Sequence, residues 1–160
     1  MRYLGFFIIV LAAAAVSREY ARYMKKRLSE CEGFLKLFEY MRIKISSFLD
    51  SPRKIAEGFD SDALRSVGFL SALSESGDTL LAYRKIEGGL SLSREERGVV
   101  EELFSSVGSC YLEDAVRLIG AASEKMKGRQ VALAVECPRN IRLFTSLAVT
   151  CALGIVILLV

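Results

Sequence analysis

The sequence has no histidine, which removes the commonest general base and the commonest protein ligand for transition metals. Cys110 has no neighbouring residue that would activate its thiol, and Cys31, Cys110 and Cys137 lack the spacing of a zinc site. Gly88 and Gly89 are not followed by the lysine and hydroxyl residue of a phosphate-binding loop. The sequence therefore predicts a protein that is not an enzyme and takes no metal, no cofactor and no small-molecule substrate.

The four cysteines are widely spaced and form no CxxC pair. Cys151 lies within a long apolar run, which leaves three cysteines for the rest of the chain, an awkward number for a framework of disulfides. Unpaired, spread-out cysteines are typical of a reducing cytosol. We expect these residues to be small side chains of a core.

Neither sign of charge is in large excess, because 22 Lys and Arg stand against 19 Asp and Glu. A net charge of +3 does not indicate nucleic-acid binding, and no aromatic residues are interleaved with the basic ones to stack on bases. The basic residues instead lie beside two apolar runs, a pattern that usually reports membrane orientation. They are Arg18, Arg22, Lys25, Lys26 and Arg27 after the first run, and Arg139 and Arg142 before the last.

The last apolar run, Leu143–Val160, has no charged residue and no polar face. Its hydroxyl residues can hydrogen-bond back to the helix. Eighteen residues of helix extend about 27 Å, enough to cross the hydrocarbon core of a bilayer. A helix buried in a soluble core would keep a polar side for water, so this run predicts a C-terminal membrane helix over residues 141–160.

The first apolar run, Tyr3–Val16, has two interpretations. It is either a short membrane helix over residues 3–17, extended by snorkelling of Arg18 and Tyr20, or a signal peptide cleaved between Ala12 and Ser17. The positive cluster that follows resists translocation and favours a retained anchor. With both runs retained, residues 18–140 form one domain in the cytoplasm.

The segment between the runs has the periodicity of helices and none of the alternation of strands. With only two prolines in the chain, long helices are permitted. The pattern predicts an all-α antiparallel bundle of about six helices, flanked by N- and C-terminal membrane helices. The first bundle helix carries an apolar stripe at intervals of three and four residues, formed by Tyr20, Met24, Leu28, Cys31, Leu35, Phe38, Met41, Ile45 and Phe48.

Capping residues divide the rest of the bundle. Ser51 and Pro52 begin a short helix, and the stretch Asp60–Asp62 begins another whose apolar face is Leu64, Val67, Leu70 and Leu73. Gly77 ends that helix, Asp78 caps the next, and Ser93 with Glu96 forms a capping box. The last bundle helix runs from about Cys110 toward Glu136, and we expect Pro138 to break or kink the path beyond it.

Four glutamates, Glu95, Glu96, Glu101 and Glu102, lie close together after the capping box. Such a group could serve acid–base chemistry or hold a metal ion. Glutamate is usually exposed, however, so we expect these four to form the solvated face of a capped helix.

Several short motifs of the chain resemble those of the stage III sporulation protein AB family. The Leu4-Gly5 start of the first run, the stretch Ile43–Ala56 with Ser51-Pro52, and the Val107-Gly108 turn are similar to the family's pattern. From that turn onward the spacing runs without gaps to Ser146-Leu147 and Val156–Leu159. After Gly108 the family usually carries an acidic residue and later a glutamine, whereas this chain reads Ser109-Cys110-Tyr111-Leu112-Glu113.

The resemblance implies a helical fold similar to the cytoplasmic domains of type II secretion and type IV pilus inner-membrane platform proteins. It also implies a place in the complex that links mother cell and forespore during endospore formation. The domain would then face the mother-cell cytoplasm from the cell membrane. The implied partners are a secretion-type ATPase, stage III sporulation protein AA, and the other members of that complex.

Our first hypothesis is thus a membrane platform that docks a cytoplasmic ATPase to an envelope channel. We expect its partner contact at Arg94, Glu95, Glu101 and Gly108. The alternative is an extracytoplasmic helical binding domain with a cleaved signal peptide and a C-terminal anchor. A pore-forming protein fits less well, because neither apolar run carries a charged residue to line a water path.

Overall fold

The computed structural model describes residues 2–48, 52–107 and 111–159, and the side chains within them except those of 2–7, 47–48, 52–53, 56, 112, 156 and 158–159. These residues form seven α-helices, one turn of 3₁₀-helix and no strand, so the prediction of an all-α fold is confirmed. The α-helices are α1 (Arg2–Phe48), α2 (Pro52–Gly58), α3 (Asp62–Ser66), α4 (Phe69–Ser76), α5 (Thr79–Ile86), α6 (Arg94–Val107) and α7 (Leu112–Leu159). The 3₁₀ turn, Glu87–Gly89, follows α5.

Helices α1 and α7 pack against each other more extensively than any other pair. The rings of Tyr20 and Phe144 stack with their centroids 4.2 Å apart, and the Cys31 sulfur lies 3.3 Å from that of Met126. Residue numbers therefore fall along α1 as they rise along α7, so the two helices are antiparallel.

The shorter helices cover one end of this pair. Helices α2 and α3 contact α1, α6 contacts α7, and α4 and α5 pack onto these helices and each other. Their shared core is aromatic: the Phe104 ring stacks on Phe69 at 5.7 Å and meets Phe38 edge-on at 6.0 Å, with Phe34 and Tyr83 beside them. Offset and edge-on pairs of this kind contribute beyond their buried area.

The capping signals at Gly77, Asp78 and Ser93 are confirmed. Gly77 adopts a left-handed φ of 65° and its N–H donates to the Leu73 carbonyl at 2.9 Å, which closes α4. The Asp78 carboxylate accepts hydrogen bonds from the N–H groups of Leu80 and Leu81 at the start of α5. Local chemistry alone thus determines these boundaries.

The single helix predicted across Leu64, Val67, Leu70 and Leu73 is wrong, because the chain forms α3 and α4 there instead. Gly68 lies between them with φ of 79°, a left-handed conformation that ends one helix and redirects the next. Leu64 and Leu73 are buried, whereas Val67 and Leu70 are half-buried.

Both apolar runs are continuous with helices of the bundle. The first run belongs to α1, and α7 continues through Pro138, so of the two effects expected at that proline the break does not occur. The boundaries expected near residues 17 and 140 fall inside these two helices, and the division into three domains stays a prediction. Among the described residues, no helix combines the length and the hydropathy needed to span a bilayer.

Beyond the bundle, residues 8–20 of α1 and 144–157 of α7 form what we call the stem. Most of its less exposed positions recur every four or three residues on both helices, which places one stripe of each helix in the contact. The less exposed positions are Ile9, Ala13, Ser17 and Tyr20 on α1, and Phe144, Ala148, Ala152 and Gly154 on α7. Small residues therefore predominate where the two helices of the stem approach.

The cysteines differ in their surroundings. Cys31 and Cys137 are buried, as expected of small core residues, and burial raises the pKa of the Cys31 thiol to about 12. Cys151 is exposed on the stem, and Cys110 lies outside the described residues. A thiol with so high a pKa stays protonated at neutral pH and is a poor nucleophile.

Candidate interaction site

Three of the four residues predicted to contact a partner belong to α6. Arg94 and Glu95 lie in the first turn of α6, and Glu101 lies in its middle. Gly108 lies outside the described residues, just beyond the far end of the helix. A helix of 14 residues is about 20 Å long, so Arg94 and the last residue of α6 are separated by about that distance.

Two of the predicted contact residues already have partners within the chain. The Glu95 carboxylate pairs with Arg129 of α7, and the Glu101 carboxylate lies 3.9 Å from the Arg84 guanidinium of α5. Both pairs are exposed, and exposed ion pairs contribute little stability, so a partner could replace them at small cost. Arg94 is exposed and forms no ion pair in the part of the chain that the structure describes.

An open, charged cleft of about 550 Å³ lies beside the first turns of α6. The Arg97 guanidinium crosses it and donates hydrogen bonds to the carbonyl oxygens of Leu90 and Leu92, at 2.5 and 3.0 Å. Arg97 thereby holds the segment before α6 in place and leaves Arg94 as the unpaired cation of the cleft. The lining residues are Glu87, Leu92, Arg94, Arg97, Gly98 and Glu101.

The expectation that Glu96 belongs to a solvated face is wrong, although Glu95, Glu101 and Glu102 are exposed. Glu96 is fully buried, and its two carboxylate oxygens accept hydrogen bonds from Arg27 of α1 at 2.6 and 3.0 Å. The same carboxylate accepts the Ser93 N–H at 2.7 Å, which completes the predicted capping box.

Burial by itself would raise the pKa of Glu96. The hydrogen bonds and charge of Arg27, together with the hydrogen bonds from Ser93, outweigh burial and hold the pKa below its ordinary value. The carboxylate is therefore ionised at neutral pH, and the pair with Arg27 is a charge-assisted link between α1 and α6.

A second buried carboxylate, that of Glu30, lies one turn further along α1. It accepts the Ser91 N–H at 2.6 Å, while its other oxygen lies 3.6 Å from the Lys26 ammonium and accepts no hydrogen bond in the described part of the chain. Burial is the largest influence on this group and raises its pKa above the ordinary value, against the opposing effects of Ser91 and Lys26. Its ionised form is thus less favourable than that of Glu96.

These contacts fasten the segment before α6 to α1. The Tyr23 hydroxyl donates to the Ser91 carbonyl at 3.2 Å, and Lys26 donates to the Gly89 carbonyl at 3.3 Å. Together with the glutamates they fix the first turn of α6, and Arg94 with it, against the part of α1 that adjoins the stem. Within the described ranges, no group of three acidic or cysteine side chains is placed to hold a metal ion. The arrangement is a charged surface held in place by buried polar contacts.

Comparison with known families assigns the chain. The model of the family described as stage III sporulation protein AB matches residues 80–160, just over half of the sequence. The chain belongs to this family. The matched region includes nearly all of α5 and the whole of α6 and α7, hence the cleft and the C-terminal half of the stem. Membership gives the chain a role in sporulation. No curated protein and no solved structure matches it.

We predict that Glu96→Gln destabilises the fold by about 3 kcal/mol, because it leaves the half-buried Arg27 without its anionic partner. Urea unfolding of the full chain at pH 7 measures this loss. The matched control is Glu102→Gln on the same helix, an exposed carboxylate 3.5 Å from Lys125, which should change stability by less than about 1 kcal/mol. Equal losses in the two variants would contradict a structural role for the buried pair.

We predict the opposite result for Glu30→Gln at pH 7, which should leave stability unchanged or raise it. An acid whose pKa is higher in the folded than in the unfolded state binds more protons when folded, so stability falls as pH rises above the ordinary pKa of 4.5. The neutral amide removes that loss and still accepts the Ser91 N–H. Unfolding between pH 4.5 and 7 should show a smaller decline for the variant than for the wild type. A steeper decline would overturn this account of Glu30.

Proposed function

We propose that the chain is a non-enzymatic platform at the cell membrane, part of a secretion-like complex linking mother cell and forespore. In this role its bundle faces the mother-cell cytoplasm and docks a secretion-type ATPase to an envelope channel. The observation that carries the proposal is the stem, two antiparallel helices that extend together from a polar bundle with apolar side chains on their outer faces. Membership of the sporulation family supports the setting.

The outward side chains of the stem favour lipid over water. Ile157 is 74% exposed, and the other exposed large hydrophobic residues of the stem are Ile8, Val10, Leu11 and Val16 on α1, and Leu147, Val149, Leu153 and Ile155 on α7. The exposed charged residues Arg18 and Glu19 lie at the end of the stem that joins the bundle. An apolar surface of this extent is uncommon on a soluble monomer. Both apolar runs of the sequence also extend into residues 3–7 and 158–160, whose side chains lie outside the described part.

Three hydroxyl side chains of the stem hydrogen-bond to backbone carbonyls of their own helices. Ser17 donates to the Ala13 carbonyl at 2.9 Å, Thr145 to the Ile141 carbonyl at 2.8 Å, and Thr150 to a carbonyl one turn earlier at 2.9 Å. In hydrocarbon an unpaired polar group would cost several kcal/mol, roughly the cost of a lost hydrogen bond without water to replace it. These three bonds lower the cost of placing the stem in a bilayer.

The packing of the stem also favours a retained first run over a cleaved signal peptide. Helix α1 passes without interruption from the run into the bundle, Ser17 is buried, and the Tyr20 ring stacks on Phe144. Cleavage between Ala12 and Ser17 would remove most of the α1 half of the stem and leave the buried Ala152 on a helix without its neighbour. Retention places both basic clusters on the same side of the membrane as the bundle, in agreement with the tendency of Lys and Arg to stay in the cytoplasm.

Docking of the ATPase is assigned to the cleft beside α6. Arg94 is its unpaired cation, and the exposed pairs of Glu95 and Glu101 offer charges that can exchange partners. The buried contacts of Glu96 hold this surface rigid, which lowers the entropic cost of binding. The proposed role requires no chemistry from the chain, in keeping with a sequence that lacks histidine.

We predict that the protein purified from membranes keeps its first apolar run. The intact mass of the full chain should include residues 2–17, since α1 needs them to cover the inner side of α7. A mature N-terminus near Arg18 would contradict the proposal and favour an extracytoplasmic binding domain anchored only by its C-terminal run.

We predict that Arg94→Glu weakens binding of the sporulation ATPase, stage III sporulation protein AA, by about fivefold, because a charge at the rim of an interface is reversed. Binding is measured by titrating the purified ATPase onto the full chain in nanodiscs. The control is Arg117→Glu on α7, another exposed arginine, which pairs with the exposed Asp114. Equal affinities of the two variants would remove the cleft as the docking surface, and absence of binding by the wild type would overturn the ATPase partner itself.

A further inference from the structure

Positive charge is concentrated at two levels where the stem meets the bundle. Tyr20 and Phe144 stack, and the helices are antiparallel with equal rise, so moving toward the bundle brings Arg22 level with Arg142. One turn further, Lys25 is level with Arg139. We call these four residues the basic collar.

The collar has little anionic charge within the chain to neutralise it. Arg139, Arg142 and Lys25 are exposed and form no ion pair in the described ranges, while Arg22 pairs with the exposed Glu19. Glu136 is the nearest other acid on α7 and is also exposed. Clustered cations of this kind attract anionic groups to the part of the surface where they lie.

On α7 the collar borders an apolar cleft of about 410 Å³. Arg139 and Arg142 are one turn apart, which brings both guanidinium groups to the same face of the helix. Val135 and Leu143 beside them are 68% and 61% exposed, and Pro138 completes the lining. The cleft therefore offers two cations and an apolar wall to one ligand, and its upper edge at Leu143 continues into the outward face of the stem.

We propose that this cleft binds an anionic phospholipid, with Arg139 and Arg142 on the headgroup phosphate and Leu143 against the first methylenes of an acyl chain. Guanidinium groups match phosphate through paired N–H donors, which an ammonium cannot do. A phospholipid fits better than an acidic protein segment, because its phosphate is followed by an apolar acyl chain. The cleft presents groups in the same order: Arg139 and Arg142 first, and then Leu143 toward the stem. The inference rests on the proposed membrane location of the stem.

The test compares the affinity of two spin-labelled lipids for the full chain in phosphatidylcholine vesicles. The probes are phosphatidylglycerol and phosphatidylcholine, and the measured quantity is the fraction of each that the protein immobilises. The wild type should select phosphatidylglycerol by at least about fivefold, the effect expected of one or two basic residues at a membrane surface. The selectivity should fall toward one in R139Q/R142Q and weaken with added salt.

The matched control removes the same number of positive charges from α7, at positions far from the cleft. R117Q/K127Q removes two exposed cations of α7 that lie in the bundle, more than 15 residues before Leu143, and should keep the selectivity of the wild type. R139K/R142K should recover part of it, since the charge remains without the paired donors. Circular dichroism of each variant establishes that it is folded before the lipids are compared.

The outcomes separate the two proposals. Immobilised lipid without preference for phosphatidylglycerol in the wild type, or an equal preference in R139Q/R142Q, overturns the phospholipid site and leaves the membrane anchor standing. Absence of any immobilised lipid overturns the anchor itself. A loss of ATPase binding in R139Q/R142Q with unchanged lipid preference would assign the two arginines to a protein partner and also overturn the phospholipid site.

Discussion

Packing of α1 against α7 brings together residues more than ninety positions apart, such as Cys31 and Met126, and gives the molecule its axis. Helices α2 and α3 lie on α1, α6 lies on α7, and the remaining short helices fill the space between them around Phe104. Beyond the bundle the same two helices continue as the stem. One contact surface thus supports both the bundle and the stem with its exposed apolar side chains.

The polar links between α1 and the start of α6 have a different role. A buried ion pair such as Arg27 with Glu96 gives little net stability relative to an apolar pair, but it is costly to break, so it fixes how the two helices meet. Glu30 adds a second link through Ser91 at the expense of a less favourable ionised state. Together they connect the position of the charged cleft to the helix that leads into the stem.

Local features of this fold were predictable from sequence, and features set by distant contacts were not. Gly77, Asp78 and Ser93 act within a few residues of themselves, so their capping was correctly anticipated. The break at Gly68 was not predicted, because it depends on how α4 turns to reach the core. The burial of Glu96 was not predicted either, because it depends on Arg27, which is 69 residues away in the sequence. The sequence of α1 did hold a signal for these buried polar contacts. Arg27 and Glu30 lie beside Met24 and Cys31 of the apolar stripe, so their side chains start from the face of the helix that packs against the bundle.

The candidate site was anticipated only in part. The sequence singled out the start of α6, and the structure places Arg94 there in an open cleft. It could not reveal that Glu95 and Glu101 already pair with α7 and α5, because those partners meet only after the long helices have packed. The basic residues around the apolar runs were visible in sequence as two separate clusters. The stacking of Tyr20 on Phe144 shows that the two clusters lie side by side, at the same height along the paired helices.

If the stem holds the bundle at the cytoplasmic face of a membrane, Lys127 lies inside the cell, and thiol labelling of K127C measures this. Lys127 is exposed on α7 within the bundle, whereas Cys31 and Cys137 are buried and can stay, so only Cys110 and Cys151 need replacement by serine and alanine. A membrane-impermeant maleimide is applied to intact cells and then to opened cells. The account predicts labelling only after the cells are opened; labelling of intact cells would place the bundle outside and contradict it.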